Sequence, residues 1–109
     1  MPAANSRQPV LKLEKADPDT IRVKGEMCFD TVARPIGHFE TLLQDIAEPV
    51  ITLKAVTRAD SAGVALLIEW QRIARRHQQT LVFADVPTQI LALARVSGVD
   101  ELLSLNTSQ

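Results

Sequence analysis

Residues 56–70, VTRADSAGVALLIEW, carry the reading that decides the fold. They close an apolar, β-branched run, PVITLKAV at 49–56, and within four residues open an apolar helix. On a 100° wheel Ala62, Gly63, Leu66, Leu67, Trp70, Ile73, Ala74 and His77 share one broad face, which predicts a helix over 61–77 lying on a sheet. A strand that turns at once into a sheet-covering helix is half of a β-α-β unit. Its next strand must return in parallel through a right-handed crossover.

The flanking sequence supplies the remaining elements. Downstream, TLVFAD at 80–85 reads as a compact strand. PTQILALARVSG at 87–98 reads as a helix with Pro87 in its first turn and Gly98 as its stop, and VDELLSL at 99–105 as a last short helix. Upstream, VLKLEK and TIRVKG alternate apolar and polar residues around the turn ADPD, a hairpin pattern. Ile36, Phe39, Leu42, Leu43 and Ile46 mark a helix bounded by Pro35 and Pro49. PVITLKAV is too apolar for an exposed edge and predicts an inner strand. The order is β-β-α-β-α-β-α-α, an α/β fold with a mostly parallel sheet of about four strands and about four helices. Residues 9–105 make one domain, with a flexible tail at 1–8 and a frayed end at 106–109.

Composition narrows the function classes. A 109-residue chain that is 46% apolar can build one core, and a formal charge of −1 argues against nucleic acid as a partner. Cys28 is the only cysteine, so there is no disulfide framework or cysteine metal set, and a reducing compartment fits. The start MPAANSRQPV lacks a secretory apolar segment, and no run is long enough for a membrane span. The expectation is a cytoplasmic protein without direct membrane insertion. No phosphate-cradling glycine loop is present, and Cys28, His38 and His77 match no metal spacing, so no cofactor or metal is expected. Ser61 lies in D-S-A-G rather than a G-x-S-x-G turn, which argues against a hydrolytic triad and predicts no catalytic residue.

The junction has its own chemistry. A helix start leaves backbone N–H groups unpaired; Asp60 or Ser61 can cap one, and Gly63 allows another backbone close. The positive end of the helix dipole also favours an anion there, a phosphoryl group on Ser61 included. Weak nucleotide binding at this helix start stays open. Val64, Ala65 and Ile68 fall outside the core face. Either a neighbouring helix covers them or they form an apolar contact patch beside Ser61. Arg72, Arg75 and Arg76 lie on the solvent side of the same helix.

The element order, with DSAGVALLIEWQRIARRHQQTLVFADVPTQILALARVSGVDELL and the Gly25-Glu26-Met27 element that closes the second strand, resembles the STAS domain family of anti-sigma factor antagonists. Within it the chain is similar to the small cytoplasmic STAS subunit of the phospholipid-transport ABC system of Gram-negative bacteria, through GVALLIEW and TLVFADVPTQILALARVSGVDELL. That resemblance implies a non-catalytic protein that binds the transporter's ATPase subunit, peripheral to the inner membrane through that complex. It implies a partner surface of Arg58, Asp60, Ser61, Ala62, Gly63, Val64, Ala65, Ile68 and Arg72. The alternative it implies is an antagonist that binds an anti-sigma factor kinase and is phosphorylated at Ser61. Two positions depart from the family pattern. Cys28 stands where an Asp is frequent, with Asp30 the nearest acid, and Ala62 stands where antagonists often have a second serine.

Overall fold

The structure, a computed structural model, describes residues 11–28, 36–44, 46–100 and 103. Strands β1 (Leu11–Asp17) and β2 (Thr20–Met27) form the expected antiparallel hairpin across Pro18 and Asp19. Proline at the first turn position cannot take the positive φ that primed hairpin turns require. The mismatch in twist is taken up by a register shift that leaves Ala16 extra between Lys15 and Asp17.

Helix α1 (Ile36–Leu43) leads to β3 (Val50–Ala59), α2 (Ser61–Arg76), β4 (Val82–Ala84) and α3 (Thr88–Val96). The sheet order is β1-β2-β3-β4, with β3 parallel to both neighbours, so PVITLKAV does belong to an inner strand. α1 packs on β1 and α2, α2 on β3 and α3, and α3 also on β3, which puts the helices on one face. Period-2 alternation explains why one layer suffices: Ile21 and Val23 point into the core while Arg22 and Lys24 between them stay exposed. The centre of the core is Trp70 of α2, stacked on Phe39 of α1 with ring centroids 4.7 Å apart and planes 16° apart.

Three expectations are corrected. The described residues carry three helices, not four. Of the segment 99–105, only Val99, Asp100 and Leu103 are described, and they show a single turn closed by Leu103 N–H donating to Val99 O at 3.1 Å. α1 stops at Leu43 rather than running to Ile46, because Gln79 Nε2 donates to the carbonyls of both Leu43 and Ile46, at 2.7 and 2.5 Å. That side chain satisfies the helix end and fixes the buried Ile46 in the following turn. His77, expected on the core face, is the exposed C-cap of α2. The chain reverses just after it, with Gln78 at φ 58° and Gln79 N–H donating to Ala74 O at 2.9 Å.

Candidate functional site

Parallel strands with following helices gather their carboxyl ends and the helix starts at one edge of the sheet, where such folds form their sites. Here that edge holds the end of β2, the Ala59–Ser61 junction and the start of α3. Asp60 is the N-cap of α2: its backbone is extended and Oδ1 accepts from Ala62 N–H at 2.9 Å. Gly63 N–H donates to Asp60 O at 2.9 Å, which closes the first turn. Of the two capping candidates the carboxylate takes the role. Ser61 becomes the first helical residue, exposed, with its Oγ bonded to no described residue.

The junction is held from three sides. Asp60 N–H donates to Met27 O at 3.1 Å, tying α2 to the end of β2. Gly63 sits against the same carbonyl, since a Cβ there would lie 2.7 Å from Met27 O and 3.0 Å from Met27 Cβ. From α3, Gln89 Oε1 accepts from Ala59 N–H at 3.3 Å. Arg58 is exposed and its guanidinium lies 3.3 Å from Glu26 Oε1 on β2.

The structure divides the residues named from sequence. Arg58, Asp60, Ser61, Ala65 and Arg72 are exposed, and Ala62 and Ile68 half-buried. Gly63 is buried, and Val64, at 4% exposure, belongs to the core cluster with Ile90 and Ala94 of α3. Ile68 packs against that cluster. Val64 and part of Ile68 are therefore covered within the fold, leaving Ala65 as the apolar residue beside Ser61. Val64 is unavailable to a partner. Sequence reasoning missed Gln89, whose bond to Ala59 depends on how α3 docks on α2; no local pattern encodes that contact.

A concavity of about 320 Å³, lined by Glu40, Leu43, Gln44, His77 and Gln79, lies at the other end of α2. His77 Nε2 is 3.4 Å from Glu40 Oε2, and both side chains are close to half exposed. His77 lies sixteen positions along the helix from Ser61, roughly 24 Å at 1.5 Å per residue, so these two cannot share a proton in catalysis. His38, the other histidine, and Asp30 lie outside the residues whose side chains are described. Among the described residues no cluster of three His, Cys, Asp or Glu could hold a metal, and no helix is long and apolar enough to cross a membrane.

The junction thus offers a rigid helix start with an exposed hydroxyl, an exposed small apolar residue one turn on, and a flanking arginine. It has the shape and chemistry of a contact surface. A family model described as "Mlab, STAS domain" matches residues 11–104. No curated protein matches the sequence. Among solved structures, the anti-sigma factor antagonist SpoIIAA in its unphosphorylated form is similar, at 15% identity and a TM-score of 0.58 over 82% of each chain. The Bacillus cell fate determinant SpoIIAA in its phosphorylated form is similar at 16% identity and a TM-score of 0.61, over 84% of this chain and 86% of that one.

Proposed function

Because the chain belongs to the STAS domain family, whose members are protein-interaction domains, we propose that it is a non-catalytic subunit that docks on the ATPase of a phospholipid-moving ABC transporter. The ATPase gains assembly and activity from the contact, and the transporter moves phospholipid between inner and outer membranes. The protein itself stays in the cytoplasm, at the inner membrane only through that complex. The observation that carries this reading is the exposed ridge of Ser61 and Ala65, held in place by the Asp60 cap and the Gly63–Met27 contact. A ridge fixed in the free protein loses little entropy on docking, so its contacts are available to favour the competent state of the ATPase. Around it the contact takes in Arg58, Asp60, Ala62, the exposed part of Ile68, and Arg72.

The test is ATP hydrolysis by the purified transporter ATPase with and without this chain. Ser61→Glu and Ala65→Arg change exposed positions, so both variants should stay folded, with an unchanged far-ultraviolet circular dichroism spectrum, and should lose the stimulation. Full stimulation by both folded variants would remove this surface from the function.

A second reading has one observation in its favour: Ser61 Oγ is exposed at the positive end of a 16-residue helix. In that reading the chain is an anti-sigma factor antagonist that binds a kinase and is released when Ser61 is phosphorylated. Mass spectrometry of the protein from its own cells separates the two. Stoichiometric phosphate on Ser61 favours the switch, and co-purification of unmodified protein with an ABC ATPase favours docking.

A further inference from the structure

Among the described elements the strands carry both kinds of basic residue, Arg22 and Arg58 beside the lysines, but α2 and α3 carry only one kind. All four lysines, Lys12, Lys15, Lys24 and Lys54, lie on strands, whereas α2 and α3 carry only arginines: Arg72, Arg75, Arg76 and Arg95. With Glu69 as their only acid, α2 and α3 hold a net charge of +3 in a chain whose total is −1. All four arginines are exposed. Two lie beside acids: Arg72 Nη1 is 3.4 Å from Glu69 Oε1, and Arg76 Nη2 is 3.8 Å from Glu40 Oε2 on α1. Arg75, between them on the helix, pairs with no described acid.

Helix-end electrostatics accounts for cations at Arg75, Arg76 and Arg95, but not for Arg72, which precedes the last turn, nor for the exclusion of lysine. Lysine serves a solvated surface. Arginine, with a planar fork of donors and weaker hydration, is the cation that interfaces accumulate. We infer that the docking surface continues from Ser61 and Ala65 along α2 into this arginine strip, and that the partner meets the strip with carboxylates. This inference rests on the docking reading and specifies the chemistry of the partner's surface. A protein surface is favoured over an anionic lipid surface because Glu40 and Glu69 stand among the arginines. They would repel a uniformly negative plane, yet they pre-orient two guanidinium forks for discrete carboxylates.

The test is association of the chain with the purified transporter ATPase, followed by surface plasmon resonance at 50 and 500 mM NaCl. Arg75→Glu should slow association about tenfold at 50 mM, the difference should close at 500 mM, and Arg75→Lys should recover only part of the rate. Ala65→Arg is run beside it, since it tests the docking contact without removing a charge from the strip. If Ala65→Arg abolishes binding while Arg75→Glu associates within twofold of wild type at 50 mM, the docking reading stands and the acidic-partner inference falls. Should neither variant alter binding, the docking reading falls with it. Binding of the wild-type chain to phosphatidylglycerol vesicles, lost in Arg75→Glu, together with no binding to the ATPase, would assign the strip to lipid and overturn the inference.

Discussion

At Gly63 a single methyl group decides how closely α2 can lie on the end of β2. The added Cβ would meet Met27 O at 2.7 Å, and a backbone carbonyl in an inner strand that already accepts from Asp60 N–H has nowhere to go. Overpacking of this kind costs about 1–3 kcal/mol, and alanine's better helix propensity returns about 1 kcal/mol of it. Gly63→Ala is therefore expected to destabilise the protein by about 1 kcal/mol, lowering the thermal midpoint by roughly five degrees. Thermal denaturation followed by circular dichroism checks this, and an unchanged midpoint would mean that α2 does not approach β2 so closely. Part of this was legible in the sequence, where glycine two residues after the helix start predicts a close backbone approach. The identity of the approaching atom was not, because Met27 is 36 positions away in the chain.

At the scale of elements, the helix ends show what local sequence encodes and what it leaves open. Gly98 stops α3 as expected, at φ 74°, with Val99 N–H donating to Ala94 O at 2.9 Å and Gly98 N–H to Arg95 O at 3.0 Å. α2 ends in the same double hydrogen-bond pattern, but the residue in the left-handed conformation is Gln78. Without a glycine to mark that end, the wheel ran on to His77 and placed it in the core. A left-handed side-chain residue costs about 1–2 kcal/mol, offset in part for glycine by the freedom it gains in the unfolded chain. Gln78→Gly should thus stabilise the protein by about 0.5–1 kcal/mol, measured as a higher urea midpoint at unchanged slope. The ambiguity over Val64, Ala65 and Ile68 has a similar origin. One helix's periodicity shows which residues leave its sheet face but not how the rest of the fold packs around it, and Val64 is buried while Ala65 stays in solvent.

For the molecule as a whole, order and pairing of strands were readable because β-α-β connectivity permits few topologies, and the four-stranded sheet has parallel β2-β3-β4 with an antiparallel β1. What the pattern did not convey is the division of labour between the layers. One face of the sheet carries the helices and the proposed contact; the other is exposed and charged. On that open face Lys12 and Lys24 are directly opposite each other across β1 and β2, a like-charge pair that opposes strand pairing. The pair is exposed on the face away from the helices, so its removal should act on stability alone. Lys24→Thr takes away the repulsion and places a β-branched residue in an inner strand, for a gain of about 0.5 kcal/mol. The thermal midpoint should rise by roughly 2–4 °C at low salt, and the gain should shrink at 0.5 M NaCl as screening weakens the original repulsion. Because effects at distant sites add, ATPase stimulation by Lys24→Thr should equal that of the unaltered chain, and Lys24→Thr combined with Ala65→Arg should show the stability of the first and the binding loss of the second. If Lys24→Thr alone reduced stimulation, the partner would have to reach the open face of the sheet, and docking through the helix layer would no longer describe the complex.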